Sequence, residues 1–409
     1  MTLDPARAVA DLRELRELTE DERGAQRIAW TETWAKAREW LRGKLEELPV
    51  EVERDAAGNL WATLRGETDG ELILGGHLDS VPDGGWLDGS LGVAAGLEVL
   101  RRLAAEGTPP VTVSLVDWAD EEGRFGRSLL GSSLAAGSAT RDELAGLSDR
   151  DGVALPEALA EHGVDLDEAL GGSGRVAGAA AYLELHIEQG PVLEHEDLPL
   201  AVVTGTAGVE RHAVKFTGRS VQGGGFPMTP RQDALVAAAR LVVEVRGIPA
   251  DDKGRATVGV VGVVPGMPTV VPGEAELVLD ERHPDAAALA DMLRRTEEAS
   301  EAIAADEGVE VEWRPVWRID PVPFDADLIR LAEEAISEVA EPGPRLFSGA
   351  LHDAAEVARA GVPTVMLFVQ SLGGASHNPE EDTRPEHLEL AVTALDRLTS
   401  MAIERASRA

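Results

Sequence analysis

The sequence LILGGHLD, residues 72–79, sets the fold class of this chain. A short apolar run is followed at once by two glycines, a histidine and an aspartate, a pattern typical of a buried strand that ends in polar residues. A second apolar run, VTVSLV at 111–116, leads in the same way into DWADEEG at 117–123, and a helical pattern over 92–105 separates the two runs. Strands that alternate with helices predict an α/β domain with a mixed, mostly parallel sheet.

Five residues able to bind metal ions lie in or near such segments. Ligands of an open α/β sheet bind beyond the carboxyl ends of its strands, where residues from different strands meet. Three imidazoles and at least two carboxylates suffice for two divalent cations that share a bridging carboxylate, a set that suits Zn, Mn or Co. The candidate ligands are His77, Asp88, Glu122, His186 and His377.

Two further carboxylates indicate acid–base chemistry. Adjacent Glu121 and Glu122 repel each other, so burying both requires a compensating cation. If one glutamate binds that cation, its neighbour, Glu121, is free to act as a base. Asp79 lies two residues after His77 and is expected to orient the imidazole through its carboxylate. The alternatives are a solvated acidic turn for the glutamates and a helix or turn cap for Asp79.

The length of the chain predicts two domains, because 409 residues exceed a single simple core. After residue 208 the pattern becomes strand, helix, strand, strand, helix, strand, which is the order of the ferredoxin-like motif. We therefore predict a catalytic metal-binding domain over residues 1–208 and 321–409. An inserted α+β domain is predicted over residues 209–320.

The composition excludes several classes of partner. A net charge of −36 argues against nucleic acid and anionic membranes. No apolar run approaches the roughly 20 residues that span a bilayer. The N-terminus lacks the core of a signal peptide, so a cytoplasmic enzyme is expected. The absence of cysteine excludes disulfides and thiolate ligands.

The candidate residues favour hydrolysis of an amide-like C–N bond. Two metal ions lower the pKa of a bridging water and polarise a carbonyl, while a free carboxylate moves the proton. A metal-dependent phosphatase is the rival chemistry. The chain contains neither a phosphate-binding glycine loop of the Walker type nor a basic cluster near the ligands, which argues against phosphate.

Five motifs together resemble the N-carbamoyl-L-amino-acid hydrolase and allantoate amidohydrolase family. This family is a branch of the two-metal aminoacylase and peptidase superfamily, and the resemblance extends from about residue 30 to the C-terminus. The histidine in the fourth motif is typical of the amidohydrolase branch, since peptidases usually have an acidic ligand there. The motifs are GGHLDS at 75–80, WLDG at 86–89, EEGRF at 121–125, LHIEQG at 185–190 and SHNP at 376–379.

The resemblance implies a role for each matching residue. All five candidate ligands would bind metal, Asp88 would bridge the two ions and Glu121 would be the catalytic base. Gln189 would contact the substrate, and Arg282 would bind its carboxylate through the guanidinium fork. His352 would line the pocket, with a structural role at a helix start as the alternative. A zinc-peptidase-like catalytic domain would carry the inserted domain as a lid and homodimer surface.

Three residues depart from the family pattern. Gln222 stands where the family has a histidine that holds the carbonyl oxygen in the transition state, and a carboxamide donates only a neutral hydrogen bond. Thr269 replaces an asparagine and Leu351 replaces a glycine. Loss of one oxyanion donor costs roughly 100- to 1000-fold in rate. These changes favour altered specificity over weak activity, since the set of candidate ligands is complete.

The expected function is that of a homodimeric, two-metal amidohydrolase acting on an N-carbamoyl amino acid or a related small carboxylate. One alternative is an N-acyl-amino-acid hydrolase or dipeptidase that uses the same metal centre. Another is a non-catalytic ligand-binding protein that has lost its oxyanion donor. Release of ammonia distinguishes the first function from the other two.

Overall fold

The computed structural model describes residues 2–172 and 174–408. It divides the chain into two compact units, which we call the main unit and the inserted unit. The main unit comprises Met1–Gly205 and Pro323–Ala409, and the inserted unit comprises Thr206–Val322. The main unit is therefore built from both ends of the chain.

The strands on either side of the insertion form the sheet of the main unit. They are β1 (Glu20–Asp21), β2 (Gly24–Ala25), β3 (Glu51–Arg54), β4 (Leu60–Leu64), β5 (Thr68–His77), β6 (Val111–Trp118), β7 (Ala181–Ile187), β8 (Leu200–Thr206), β15 (Val322–Pro323), β16 (Arg345–Ser348) and β17 (Thr364–Val369). All except β1 and β2, which pair with each other, belong to one nine-stranded sheet.

The helices of the main unit pack against this sheet or lie in its connections. They are α1 (Pro5–Thr19), α2 (Glu32–Leu45), α3 (Ser90–Glu106), α4 (Leu130–Ala136), α5 (Arg141–Leu144), α6 (Leu155–Glu161), α7 (Leu166–Gly171), α8 (Val192–His195), α11 (Ala326–Ser337), α12 (Asp353–Arg359) and α13 (Pro385–Ser407), with a 3-10 turn at Leu372–Gly374. Among the described residues, no helix has the length and apolar character needed to cross a membrane.

The large sheet is mixed, as predicted. Its strand order is β15-β8-β17-β7-β5-β6-β4-β3, with β16 also paired to β8. The four central strands β17, β7, β5 and β6 are parallel. The pairs β3–β4, β4–β6 and β8–β17 are antiparallel. The parallel part is thus confined to the centre, where helices α3, α12 and α13 pack on the strands.

Strand β5 shows why the central strands can be recognised in the sequence. Leu72, Ile73 and Leu74 are all fully buried, because a central parallel strand is covered on both faces. The strand begins at Thr68, earlier than the apolar run, and an irregular register separates its first residues from the regular pairing with β6. A Cβ atom at Gly75 would lie 1.9 Å from the hydroxyl of Tyr182 on β7, so glycine is required at this close approach.

Within the described part of the chain, the inserted unit contains six strands and two helices. It contains β9 (Gly208–Thr217), β10 (Val221–Gln222), α9 (Ala234–Val245), β11 (Arg255–Val264), β12 (Val270–Val271), β13 (Glu274–His283), α10 (Ala286–Glu307) and β14 (Glu310–Ile319). Four of these strands form an antiparallel sheet in the order β11-β13-β9-β14. The short strands β10 and β12 pair separately and were not predicted from the sequence.

Candidate metal centre

Three of the five candidate ligands lie at the carboxyl ends of adjacent strands. His77 ends β5, Glu122 follows β6, and His186 is the penultimate residue of β7. Because β5 lies between β6 and β7 and runs parallel to both, these strand ends meet at one edge of the sheet. Asp88 lies in the loop between β5 and α3, and His377 follows the 3-10 turn after β17.

Gly89 allows the loop after β5 to bring Asp88 beside His77. Its φ is +64°, in the left-handed region that favours glycine. A Cβ atom at this position would also lie 2.3 Å from the His77 ring. Any larger residue at position 89 would therefore displace the imidazole or the loop.

Asp88 divides its two carboxylate oxygens between two groups of candidate ligands. Its Oδ1 lies 3.0 Å from Nε2 of His186 and 3.7 Å from Nε2 of His77. Its Oδ2 lies 3.2 Å from Nε2 of His377. The same Nε2 of His377 lies 3.4 Å from Oε2 of Glu122. Within each group the ligand atoms all lie within 4.8 Å of one another. The structure thus brings together all five predicted ligands, and Asp88 is common to both groups.

The two groups differ in their exposure to solvent. The side chains of His77 and His186 are 1% exposed and that of Asp88 is 4% exposed. The side chain of His377 is 50% exposed, and its backbone has a φ of +58°. One group is therefore enclosed by the main unit, whereas the other includes a histidine that lies on a surface loop.

Burial and close contact shift the pKa values of these groups. Burial alone would raise the pKa of Asp88, but its contacts with His186 and His377 hold that pKa well below its ordinary value. Burial would lower the pKa of His186, yet the contact with Asp88 raises it to about 9. Burial, together with the charge of Asp88, raises the pKa of Glu122 well above its ordinary value. Asp88 is therefore the most acidic point of the cluster.

The donor atoms of the cluster fit divalent metal ions. Nε2 of His77 and Oε1 of Glu122 are buried without a hydrogen-bond partner. Nδ1 of His77 bonds the backbone carbonyl of Asp79 at 3.1 Å, and Nδ1 of His186 bonds that of Ile187 at 2.9 Å. These bonds make Nδ1 the donor and leave Nε2 as the atom that can bind a metal. Imidazole and carboxylate donors of this kind suit Zn, Mn and Co.

Asp79 contacts the cluster through both its backbone carbonyl and its carboxylate. Its backbone carbonyl holds His77, whereas its carboxylate Oδ1 lies 3.6 Å from Nδ1 of that ring. The carboxylate instead accepts hydrogen bonds from the backbone N–H groups of Glu121 and Glu122, at 3.3 and 3.1 Å. Strand β5 ends at His77, so the strand alternation assumed in the prediction no longer applies at Asp79. Burial raises the pKa of Asp79 to about 6.

Glu121 lies at the edge of the cluster and is only 5% exposed. Its Oε2 lies 3.8 Å from Nε2 of His77. Burial, followed by the charges of Glu122 and Asp353, raises the pKa of Glu121 well above its ordinary value. This burial excludes the alternative of a solvated acidic turn at Glu121.

Sequence reasoning missed Glu381, which connects two of the ligand loops. Its Oε1 accepts hydrogen bonds from the N–H groups of Leu87 and Asp88, at 2.9 and 3.0 Å. Its Oε2 lies 2.9 Å from the hydroxyl of Ser376, the residue before His377. Burial, together with the charge of Asp88, raises the pKa of Glu381 to about 7. The only sequence signal was a carboxylate shortly after a candidate ligand in an irregular segment.

Gln189 and His352, both predicted to contact substrate, lie at the cluster. Nε2 of Gln189 donates a hydrogen bond to Oδ2 of Asp88 at 2.8 Å. His352 is the N-cap residue of α12, and its buried ring lies 4.3 Å from that of His186 between centroids. Its Nε2 is 2.8 Å from the hydroxyl of Ser348. His352 thus packs behind a candidate ligand and also begins a helix.

Gln222 and Thr269 belong to the inserted unit, where β10 pairs with β12. The N–H of Gly223 donates to the carbonyl of Thr269 at 2.7 Å, and both predicted side chains are exposed. Oε1 of Gln222 accepts a hydrogen bond from the N–H of Gly225 in the same loop. The Gln222 carboxamide therefore retains Nε2 as its hydrogen-bond donor.

Arg282 forms part of a charge network in the inserted unit. Its Nε donates to Oδ1 of Asp280 at 2.7 Å, and Arg211 donates to Oδ2 at 2.9 and 2.6 Å. Burial would raise the pKa of Asp280, but Arg282 and Arg211 hold it below its ordinary value. Two guanidinium groups thus share the Asp280 carboxylate. Sequence reasoning missed Arg211, which lies opposite Asp280 in the pairing of β9 with β13.

The strand ends at the centre of this α/β fold thus hold histidines and carboxylates that could bind metal ions. A family model described as "Peptidase family M20/M25/M40" matches residues 73–400, and the chain belongs to this family. It is 35% identical over 395 residues to N-carbamoyl-L-amino-acid amidohydrolase from Paenarthrobacter aurescens, covering 94% of this chain and 95% of that protein.

Other relatives have the same range of similarity. The chain is 32% identical to allantoate amidohydrolase from Bacillus subtilis, covering 91% of this chain and 92% of that protein. The crystal structure of an amidase of the hydantoinase/carbamoylase family from Burkholderia multivorans has a TM-score of 0.86 and 33% identity, and the match covers 99% of this chain and 98% of that chain. The family resemblance predicted from the motifs is thereby confirmed.

Proposed function

We propose that this protein is a two-metal amidohydrolase that cleaves a linear amide C–N bond of an N-carbamoyl amino acid or a related small carboxylate. The observation that supports this most is the division of the two Asp88 oxygens between two groups of ligands. The relatives support the substrate class, because they are named N-carbamoyl-L-amino-acid and allantoate amidohydrolases.

The proposed ligands form two sets that share Asp88. His77 and His186 complete the enclosed set, and Glu122 and His377 complete the more exposed set. Zn, Mn and Co all accept such ligands. When bound, divalent ions lower the pKa of a water molecule and polarise a carbonyl group.

Glu121 is the proposed general base and acid. It removes a proton from the attacking water and passes it to the leaving nitrogen, so that a C–O bond forms and the C–N bond breaks. This step converts an N-carbamoyl amino acid and one water into an amine and a carbamic acid. The carbamic acid then loses carbon dioxide, which breaks the second C–N bond, so that the overall products are ammonia, carbon dioxide and the free amino acid. The buried position of Glu121 and its raised pKa suit a group that must hold a proton between the two steps.

Ammonia release tests the proposed function. The purified protein is loaded separately with Mn²⁺, Zn²⁺ and Co²⁺ and assayed with N-carbamoyl-L-amino acids, N-carbamoyl-β-alanine, allantoate and ureidoglycolate. Release of ammonia from at least one substrate is the expected result. A different result would contradict the proposed function. In that case the protein binds two metals per chain and releases no ammonia, but frees carboxylic acids from N-acyl amino acids or dipeptides. It would then be an N-acyl hydrolase or peptidase.

Arg282 is proposed to bind the substrate carboxylate. We expect Arg282→Ala to raise KM about 10- to 100-fold, because hydrogen bonds to charged groups contribute about 1.5–3 kcal/mol each. Arg282→Lys keeps the charge but loses the two-pronged guanidinium, so its KM should lie between those of wild type and Arg282→Ala. Steady-state kinetics on a substrate that releases ammonia measures the KM of both variants. Arg314→Ala is the control, since Arg314 is 66% exposed and 3.9 Å from its nearest carboxylate. An unchanged KM in Arg282→Ala would contradict the role.

The edge strand β11 is proposed to pair with β11 of a second copy. It lies at one edge of the four-stranded sheet and has no charged residue from 256 to 264. Val260 and Val264 are 59% and 57% exposed. The opposite edge, β14, contains Pro315 and charged residues, which protect an edge from pairing. A two-fold axis brings identical antiparallel strands together.

We expect Val260→Lys to shift the protein from dimer to monomer. The substitution places like charges near each other across the proposed strand pair and leaves the fold unchanged, because the side chain is exposed. Sedimentation velocity over a range of concentrations measures the shift. Val243→Lys is the control, since Val243 on α9 is 71% exposed and lies outside β11. Equal sedimentation of both variants and wild type would contradict the proposed interface.

A further inference from the structure

Arg27 is a fully buried arginine that lies in the segment between β2 and α2. Its guanidinium donates hydrogen bonds only to neutral oxygens. Nε donates to the carbonyl of Leu78 at 2.7 Å, and Nη1 lies 3.3 Å from the hydroxyl of Thr19. Nη2 donates to the hydroxyl of Ser90 at 3.0 Å and to the carbonyl of Gly85 at 3.3 Å.

These acceptors belong to the two segments that present ligands of the enclosed group. Leu78 directly follows His77, whereas Gly85 and Ser90 bracket the loop that contains Asp88. The backbone of Arg27 strengthens the connection, because its carbonyl and N–H bond the N–H and hydroxyl of Ser80 at 3.0 and 3.1 Å. One side chain thus joins the end of β5 to the loop before α3.

The Arg27 guanidinium lacks the directly bonded carboxylate that a buried cation usually has. No carboxylate among residues 2–172 and 174–408 forms a direct salt bridge with Arg27. Burial lowers the pKa of its side chain, although the charges of Glu381, Glu20, Asp79 and Asp88 act in the opposite direction. Arg102 on α3 has the usual arrangement, with Asp396 at 2.7 Å and Glu106 at 2.8 Å. Burying a charge without a directly bonded counter-ion is costly, so the stability of the fold alone does not account for an arginine at this position.

We infer that Arg27 is a positioning residue, which holds His77 and Asp88 at the separation that metal binding requires. The inference rests on the proposed function, because it assumes that these two residues bind a metal ion. Arg27 lies before residues 73–400, which match the family model. The N-terminal segment is therefore part of the metal centre, although it supplies no ligand.

A role in positioning and a role through charge predict opposite effects. Removing a nearby positive charge strengthens the binding of a cation, whereas loosening the ligands weakens it. If Arg27 acts by position, both Arg27→Met and Arg27→Lys weaken metal binding, because lysine cannot reproduce the fork. If it acts by charge alone, Arg27→Met binds metal more tightly and Arg27→Lys matches wild type.

The experiment measures Mn²⁺ affinity by calorimetry, with the melting temperature of the metal-free protein in parallel. We expect Arg27→Met and Arg27→Lys to bind the tighter Mn²⁺ ion about 10- to 100-fold more weakly, the range found for groups that orient ligands. Arg102→Met is the control: it should lower the melting temperature and leave Mn²⁺ affinity within a factor of about two of wild type.

Each other outcome has a distinct meaning. The inference would be overturned if the Arg27 variants melt at a lower temperature, as Arg102→Met does, but bind Mn²⁺ as tightly as wild type or more tightly. If Arg27→Met does not fold, Arg27→Lys and Ser90→Ala take its place, and normal affinity in both would overturn it equally. A wild-type protein that binds no Mn²⁺, Zn²⁺ or Co²⁺ would overturn the proposed function and the inference with it. Normal metal binding without ammonia release contradicts only the proposed reaction.

Discussion

Glu121→Gln is expected to lower kcat by about 100- to 10,000-fold, the usual contribution of a positioned acid–base group. Glutamine has nearly the same shape as glutamate, so the backbone hydrogen bond from residue 121 to the Asp79 carboxylate should be kept. The neighbouring Glu122 should also stay in place. Metal content should therefore equal that of wild type, and KM should change little. Steady-state kinetics together with metal analysis of the same sample measures all three quantities.

The control for this variant is Glu356→Gln. Glu356 is also buried, on α12, but contacts Arg359 and Ser138 rather than the candidate ligands. It should retain nearly full kcat. If Glu121→Gln kept wild-type turnover, the proton transfer would belong to another group, and if it lost metal, Glu121 would be a ligand.

Asp88→Asn is expected to weaken the binding of both metal ions by more than about 100-fold, the upper range for residues that only support a ligand. The substitution preserves the shape of the side chain and removes the one negative charge shared by His186 and His377. Both ions should be affected, because each proposed ligand set includes Asp88. Calorimetric titration with Mn²⁺ or Zn²⁺ measures the loss.

Asp83→Asn is the matched control, because Asp83 lies in the same loop but is only partly buried and contacts Gln26 and Arg23 rather than the candidate ligands. Its metal affinity should equal that of wild type. Loss of a single ion in Asp88→Asn, with the second bound normally, would show that Asp88 does not bridge. This result would remove the main support for the proposed function.

The clustering of three candidate ligands was predictable, because each lies at or near the end of an apolar run. The apolar runs of β5, β6 and β7 end beside His77, Glu122 and His186, and parallel pairing brings such ends together. Alternation along a strand does not continue past its last residue, so the contact of His77 with the backbone carbonyl of Asp79 was not predictable. The short strands β10 and β12 were not predicted, because two residues each are too few to show a periodic pattern.

Arg27 and Glu381, which bond the segments that hold candidate ligands, were not predictable because their partners are distant in the sequence. The hydrogen bond from Arg27 joins positions 51 apart, and that from the Leu87 N–H to Glu381 joins positions 294 apart. Neither residue lies on a periodic face or beside a strand end. Such contacts depend on how distant loops fold over one another, and a single sequence contains no periodic signal for that arrangement.

The insertion leaves and re-enters the main unit at adjoining points. Strands β8 and β15 are neighbours in the sheet, and the N–H of Phe324 donates to the carbonyl of Thr204 at 2.9 Å. A tight connection of a few residues would therefore rejoin the two segments with little loss of chain entropy on closure. In evolutionary terms, the inserted unit is a cassette: a gene for the main unit could gain, lose or exchange it at this point without rebuilding the sheet.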